Sequence, residues 1–365
     1  MSLDLIGKTT YLPCEICGKT SFVDILNKGK IGKTGEYGPL SIQQCDNCGH
    51  VMANPRFDKQ YYIDYYTSHY KDNVEYLGDG APSSDLVARQ QKRGELCMNY
   101  IISTIDMQPG KLLDLGCAYG ATMIPFLREN WSVQGIDPEM ASVDYGNNTL
   151  NLPIDYGFAE NMPYKDNTFD LVISLGALEH VHDFHSSMSE VNRILKKGAF
   201  LFIRMRHNRP WGLIWEYYNK NHYRFFCGNT HKLALIKYGF EIVDYTSRTI
   251  EGRLGDRYII ARKTSEPSDQ LMQKALDSGL KDSSFDLLSY LHSHYAFAES
   301  RARKLLGYLS EIDNDTEILA DHIQNGQFDY PLLNAYTSHL EAVQRAVKEA
   351  NVILSLNGQH GISSL

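Results

Sequence analysis

The stretch Lys111 to Ala121, KLLDLGCAYGA, constrains the fold more than any other part of the chain. A short apolar run passes into an acid, Asp114, and then into Gly116 and Gly120, four residues apart. That order predicts a buried parallel strand handing over to a helix through a glycine turn. Glycine is needed because a side chain would block both the turn and the approach of a ligand to the backbone. Trp131 to Asp137, WSVQGID, reads as a second strand ending in a carboxylate 21 residues after Gly116. In a doubly wound sheet an acid at that distance reaches a ribose hydroxyl pair. The Gly-x-x-x-Gly spacing differs from the Gly-x-Gly-x-x-Gly that wraps a pyrophosphate. A nucleoside without phosphate fits better than a dinucleotide.

Cysteine supplies the second constraint. Cys14-Glu-Ile-Cys17-Gly18 and Cys45-Asp-Asn-Cys48-Gly49 are two knuckles separated by 27 residues. Each aims two thiolates at one point, and together they predict the tetrahedral sulfur site of Zn²⁺, with bonds of ~2.3 Å. Unrelated reduced turns or a redox Cys-x-x-Cys are the alternatives, and two knuckles in register favour the metal. With Cys14, Cys17, Cys45 and Cys48 all engaged, no coordination position stays open, so the zinc is read as structural. His50 beside it reads as a bystander. Four glycines between the knuckles predict short hairpin strands, giving a zinc ribbon over residues 1–58.

The ribbon's charge bears on its partners. Met1 to Gln60 carries seven Lys/Arg against six Asp/Glu, and the whole chain has net charge −8. Neither is the basic footprint of a nucleic-acid binder. No apolar run approaches the ~18 residues of a membrane span. The start lacks a basic region followed by an apolar core, so a cytoplasmic protein is expected. The 365 residues leave room for about two to three domains.

Between ribbon and first strand, Tyr61, Tyr62, Tyr65, Tyr66 and Tyr70 form a Tyr-rich linker over 59–88. Positions 62, 65, 66 and 70 follow helical spacing, so they either pack a helix or line a cleft. Gly78 to Asp85 reads as a loop and Leu86 to Ile105 as a helix. Pro125 predicts a first crossover helix that starts late or kinks. Further strands are expected at Ile154 to Glu160, Phe169 to Leu175 and Gly198 to Met205, with an antiparallel pair at 241–245 and 257–262. Asn161-Met162 is expected beside the ligand. Ser187 to Lys196 reads as a helix, with Asp183 as N-cap rather than His180, His182 and His185 as a metal set. An aromatic insert, Trp211 to Phe226, either stacks on a flat acceptor or packs itself down. After the linker at 264–270, Leu287 to Ala298 and Leu340 to Leu354 carry helical stripes. They predict a C-terminal helical appendage over 270–358 that packs on the preceding domain or forms a homodimer.

DLGCAYG followed by GIDP, then AENMPYKDNTFDLVISLGALEHV, resembles the class I S-adenosylmethionine-dependent methyltransferases from roughly Arg89 to Arg262. The resemblance implies an α/β, Rossmann-like doubly wound seven-stranded sheet over 89–263. It implies S-adenosylmethionine held by Asp114, Gly116, Cys117, Ala118, Gly120, Asp137, Pro138, Ala159, Glu160 and Leu175. Ala118 stands where the family's middle glycine usually is, and Phe158 where an acid often precedes the Ala-Glu pair. His180 is the first candidate base, since a near-neutral imidazole can take a proton from a hydroxyl. His222, in a segment resembling the family's His-x-x-x-Phe, is the second, and His207 the third.

Ribbon, Asn54-Pro55-Arg56 and tyrosines together resemble a bacterial subgroup that methylates sugars, often nucleotide-linked, and other small metabolites. A small polar acceptor, with a sugar first among the candidates, is therefore expected. An RNA or protein methyltransferase that docks through the ribbon is the first alternative. The nearly neutral ribbon and the lack of an Asn/Asp-Pro-Pro-Tyr/Phe motif count against it. A silent cofactor-binding scaffold is the second, and the intact set of Asp114, Gly116, Gly120 and Asp137 counts against that.

Overall fold

The structure is a computed structural model that describes residues 9–27, 41–69, 81–206, 222–226, 229–246, 250 and 256–281. Five short strands open it: β1 (Thr9–Thr10), β2 (Phe22–Asn27), β3 (Ser41–Cys45), β4 (Val51–Ala53) and β5 (Arg56–Phe57). Strands β2, β3 and β4 run antiparallel in that order, while β1 pairs with β5. Each cysteine turn closes through its glycine amide, which donates to the first cysteine carbonyl: Gly18 to Cys14 at 2.8 Å and Gly49 to Cys45 at 2.9 Å. Both glycines have positive φ, +73° and +80°, where a β-carbon would be strained.

Asp58 caps α1 (Lys59–Asp64) by accepting from the Tyr61 amide at 2.9 Å, and a π turn, Tyr65–His69, continues it. Tyr61, Tyr62, Tyr65 and Tyr66 are all buried, so this segment is a packed aromatic helix. Tyr70 lies outside the described residues. Ser83 caps the long α2 (Ser84–Ile105) through the Leu86 amide, two residues earlier than periodicity alone suggests.

The central sheet begins with β6 (Lys111–Leu115). After the glycine turn comes a 3₁₀ turn, Ala121–Met123, and only then α3 (Ile124–Arg128). Pro125 thus falls in the helix's first turn, where its missing N–H leaves no bond unmade. The helix starts late and does not kink. β7 (Ser132–Asp137) leads into α4 (Met140–Asn148), and β8 (Ile154–Tyr156) follows. β8 stops four residues short of the expected Glu160: its partner β7 ends at Asp137, and the last ladder bond runs from the Gly157 amide to the Asp137 carbonyl at 3.0 Å. β9 (Phe169–Leu175) is nearly all buried. Asp183 caps α5 (Phe184–Ile194) through the Ser186 amide at 3.0 Å, so the helix begins three residues before the expected Ser187. Then come β10 (Leu195–Arg206), β11 (Arg224–Phe225), α6 (Thr230–Lys237), β12 (Phe240–Thr246), β13 (Asp256–Lys263) and α7 (Asp269–Asp277).

Seven strands lie in the order β12-β13-β10-β9-β6-β7-β8. All pair in parallel except β13, which runs antiparallel to both neighbours. The chain steps outward from β6 to β8, then returns to β9 on the other side of β6. That reversal opens a crevice at the carboxyl ends of β6 and β9, where ligands bind in such sheets. Alternate strand residues feed two cores: Leu113, Val172 and Leu201 on one face, and Leu112, Leu171 and Phe202 on the other.

The first core also contains Cys14, Ile16, Cys45 and Cys48, so the cysteine turns pack directly on the central sheet's layer. β11 joins β4 as an antiparallel edge, with Arg224 opposite Met52 and Phe225 opposite Val51. The ribbon sheet therefore draws one strand from a segment more than 160 residues away in sequence. Within the helical appendage expected from 270 onward, α7 buries Met272 and Leu276. The stripes at 287–298 and 340–354 lie outside the described residues, as do His207 and 207–221 of the aromatic insert. No described helix is long and apolar enough to cross a membrane.

Candidate active site

The carboxyl ends of β6, β7 and β9 open on a shared cleft. It brings together Gly116, Ala118, Asp137, Pro138, Ala159 and His180 from the expected set. Tyr62 and Tyr66, from α1 and its π turn, form the opposite wall.

Backbone shape makes the cleft floor. Gly116 has φ +72°, and a β-carbon there would meet the Ala177 side chain at 2.3 Å. Gly120, at φ +78°, stands behind the turn, with Ile154 only 2.7 Å from where its β-carbon would be. Ala118 also holds a left-handed conformation, φ +50°, despite its side chain.

Asp137 organises this turn. Its Oδ2 accepts from the Ala118 amide at 2.7 Å and its Oδ1 from the Glu139 amide at 2.9 Å. Each oxygen keeps a further lone pair for a ligand hydroxyl. Burial pushes its pKa up to about 6, while the two amides hold it back. Asp114, one strand over, is 2% exposed, and its Oδ2 has no hydrogen-bond partner. Burial, and then the charge of Asp137, push its pKa up to about 8, against the pull of Arg93. An orphaned buried carboxylate beside a cleft is a counter-charge waiting for a cation.

Some expected residues sit elsewhere. Glu160 turns away from the cleft wall: its Oε1 accepts from the His182 amide at 3.0 Å and the Asp183 amide at 3.2 Å. Asn161 is exposed and Met162 joins the core, its amide donating to Glu190 at 2.8 Å. Gly157 and Ala159 take their place on the wall. Cys117 is buried with its thiol on the Ala118 carbonyl. It shapes the turn from behind, as Gly120 does, and Leu175 ends β9 without joining the wall.

His180 follows β9 on the loop that closes the cleft. His222 does not touch the cleft, but its ring centre lies 4.4 Å from that of His180, edge to face. The Tyr66 ring also meets His180 edge to face, at 6.5 Å. The base candidate thus touches both an imidazole and a phenol ring.

Residues 88–245 match a family model described as a methyltransferase domain. The chain carries a class I S-adenosylmethionine-dependent methyltransferase domain. Ajmaline N-methyltransferase of Rauvolfia serpentina is 29% identical over 117 residues, 30% of this chain and 40% of that protein. A ubiquinone biosynthesis O-methyltransferase of Pelagibacter ubique is 34% identical over 97 residues, 26% of this chain and 40% of that protein. The chain thus spans about 40% of the length of these curated relatives. A solved S-adenosylmethionine-dependent methyltransferase from Thermotoga maritima aligns with TM-score 0.40 and 20% identity, over 49% of this chain and 92% of that one.

Beside the methyltransferase domain, the four cysteines converge as expected. Their sulfurs all lie within 4.8 Å of one another, with Cys14–Cys48 and Cys17–Cys45 both 3.5 Å apart. A tetrahedron of ~2.3 Å bonds needs sulfurs roughly 3.8 Å apart, so the donor set fits Zn²⁺. Among the described residues this is the one such cluster of potential metal ligands. Sequence reading missed what lies between it and the methyltransferase domain: Glu15, inside the first knuckle, is buried against Arg56 and Arg224. The available signal was a charged residue held inside a motif whose neighbours must be buried.

Proposed function

We propose that this chain transfers a methyl group from S-adenosylmethionine to a small polar acceptor, with a sugar or nucleotide-linked sugar as the class that fits best. The observation that carries the reading is His180 facing the same cleft as Gly116 and Asp137, with two tyrosine rings opposite. The small-molecule N- and O-methyltransferases among the relatives support the acceptor's size.

When bound, S-adenosylmethionine supplies an activated methyl group on a sulfonium. Gly116 and the turn to Gly120 let backbone approach the nucleoside, and Asp137 receives the ribose hydroxyls. Asp114 balances the cofactor's positive charge. The protein's main task is then to hold the acceptor in line within a water-poor cleft, which can supply ~7–11 kcal/mol of the barrier. His180 accepts the proton of an acceptor hydroxyl as the new bond forms, and His222 keeps its ring in place. Tyr62 and Tyr66 give a ring-shaped acceptor a flat, amphipathic wall. In the same reading Cys14, Cys17, Cys45 and Cys48 hold a structural Zn²⁺.

The test is a screen of nucleotide sugars, simple sugars, hydroxy acids and amino acids, with S-adenosylhomocysteine release as readout. Turnover of a sugar is the expected result. Turnover of RNA or protein alone would remove the sugar reading, and a chain that binds no S-adenosylhomocysteine would remove methyl transfer.

A further inference from the structure

Glu15 occupies an unusual place. It lies between two cysteines of the first knuckle, yet its carboxylate meets two guanidiniums from distant parts of the chain. Arg224 grips it with two nitrogens, Nε to Oε2 at 3.0 Å and Nη2 to Oε1 at 2.7 Å. Arg56 reaches the same Oε1 at 2.7 Å, and His50 stands 3.6 Å from Oε2. The side chains of Arg56, Arg224 and His50 are wholly buried, and that of Glu15 is 7% exposed.

Each arginine also donates to one loop, Arg56 through the same Nη1 that meets Glu15. Arg224 Nη1 donates to the Leu178 carbonyl at 2.8 Å, and Arg56 Nη1 to the His182 carbonyl at 3.2 Å. These carbonyls flank His180 on either side. The Tyr223 amide donates to the Glu179 carbonyl at 3.1 Å. The same Tyr223 offers its carbonyl to the Ala53 amide of the ribbon at 2.8 Å. The segment carrying His222 is therefore stitched to the loop carrying His180, and both are anchored on one carboxylate in the cysteine knuckle.

We infer that Glu15 and Arg224 are positioning residues for the His180–His222 pair, and that the ribbon serves to build the acceptor side of the cleft. A buried bidentate arginine pair fixes direction as well as distance. Removing the carboxylate leaves two buried guanidiniums facing each other without a counter-ion. The loop carbonyls they hold would shift, and His180 with them. The cofactor floor, built from β6 and β7, shares none of these bonds. The inference rests on the methyl-transfer reading only for its effect on rate.

The experiment uses the full chain with Glu15→Gln and, separately, Arg224→Lys. Calorimetry with S-adenosylhomocysteine, metal analysis and proton NMR of the histidine rings are run on each, with His180→Gln and His222→Gln assigning the signals. In both variants cofactor affinity should stay within about twofold and metal content should be unchanged. The titration midpoint of His180 should move, and its through-space signal to His222 should weaken. With an active acceptor, kcat should fall roughly tenfold to a hundredfold while the cofactor KM holds. Folded variants whose His180 titrates as in the wild type would overturn the inference. So would joint loss of thermal stability and cofactor binding in both, which would make the network a strut. If the wild type turns over no acceptor, the methyl-transfer reading falls, and the His180 midpoint still decides this one.

Discussion

The imidazoles of His180 and His222 meet edge to face at 4.4 Å, although 42 residues separate them in sequence. One ring faces the cleft and the other lies behind it, which divides their roles. His180→Gln should lower kcat by ~10²–10⁴, the usual yield of a positioned base. His222→Gln should cost less, because it removes support rather than the proton acceptor. Both should bind S-adenosylhomocysteine as the wild type does. Full activity in His180→Gln would show that this residue is not the base.

Asp137 carries two tasks, holding the turn and receiving the ribose. Asp137→Ala should weaken S-adenosylhomocysteine by ~1.5–3 kcal/mol for each charged hydrogen bond lost. It should also lower stability, since the amides of Ala118 and Glu139 lose their acceptor. Unchanged calorimetric affinity would move the ribose away from this acid.

Asp114 makes affinity depend on pH. Its folded pKa is raised to about 8, so the apoprotein holds a proton that the unfolded chain releases at lower pH. Ligand-free stability should therefore be greatest in acid and decline as pH rises from the ordinary carboxylate range toward 8, in line with proton linkage. A cationic ligand favours the ionised form and should drive that proton off. Binding of S-adenosylhomocysteine, which carries an ammonium, should tighten from pH 6 to 8, by at most about tenfold per unit. Proton release should show as buffer-dependent heat, and Asp114→Asn should abolish it.

Ala118 holds φ +50°, which costs an L-residue roughly 1–2 kcal/mol. Ala118→Gly relieves that strain but frees the unfolded chain by ~0.4–1 kcal/mol. A small net gain in thermal stability is expected, with no loss of cofactor affinity. A marked drop in melting temperature would mean that the methyl group packs against something it needs.

For the cysteine cluster, pure protein should contain one zinc per chain. Cys14→Ser should lower stability and metal content together, because binding of the metal is coupled to folding of the ribbon. Metal-free protein of wild-type stability, or a disulfide across the knuckles, would remove zinc from the reading.

Much of this was written in local chemistry. KLLDLG with its glycine turn, Asp137 at the end of the next strand and the Cys-x-x-Cys-Gly knuckles each depend on a few adjacent φ/ψ choices. Pro125 belongs to the same class, because a proline in a first helical turn is decided by its own missing N–H. Even Asp183 as a cap could be read, since its partner, the Ser186 amide, is three residues away.

Other features needed the folded chain. Glu160 has the right neighbours for a cofactor residue, yet the amides of His182 and Asp183 both hold its Oε1. β8 is short because its partner strand β7 ends at Asp137. Nothing periodic announces that Arg224 will meet Glu15 across 209 positions, or that Arg224–Phe225 will complete the ribbon's sheet. Sequence alone determined the glycine turn, the acid after it and the four-sulfur motif, because bonds within a few residues form in any context that lets the strand and turn exist. Only the tertiary structure decided which histidine faces the cleft and what holds it there. A buried charge must find its counter-charge wherever the packed chain brings one, and that partner is set by how the layers stack.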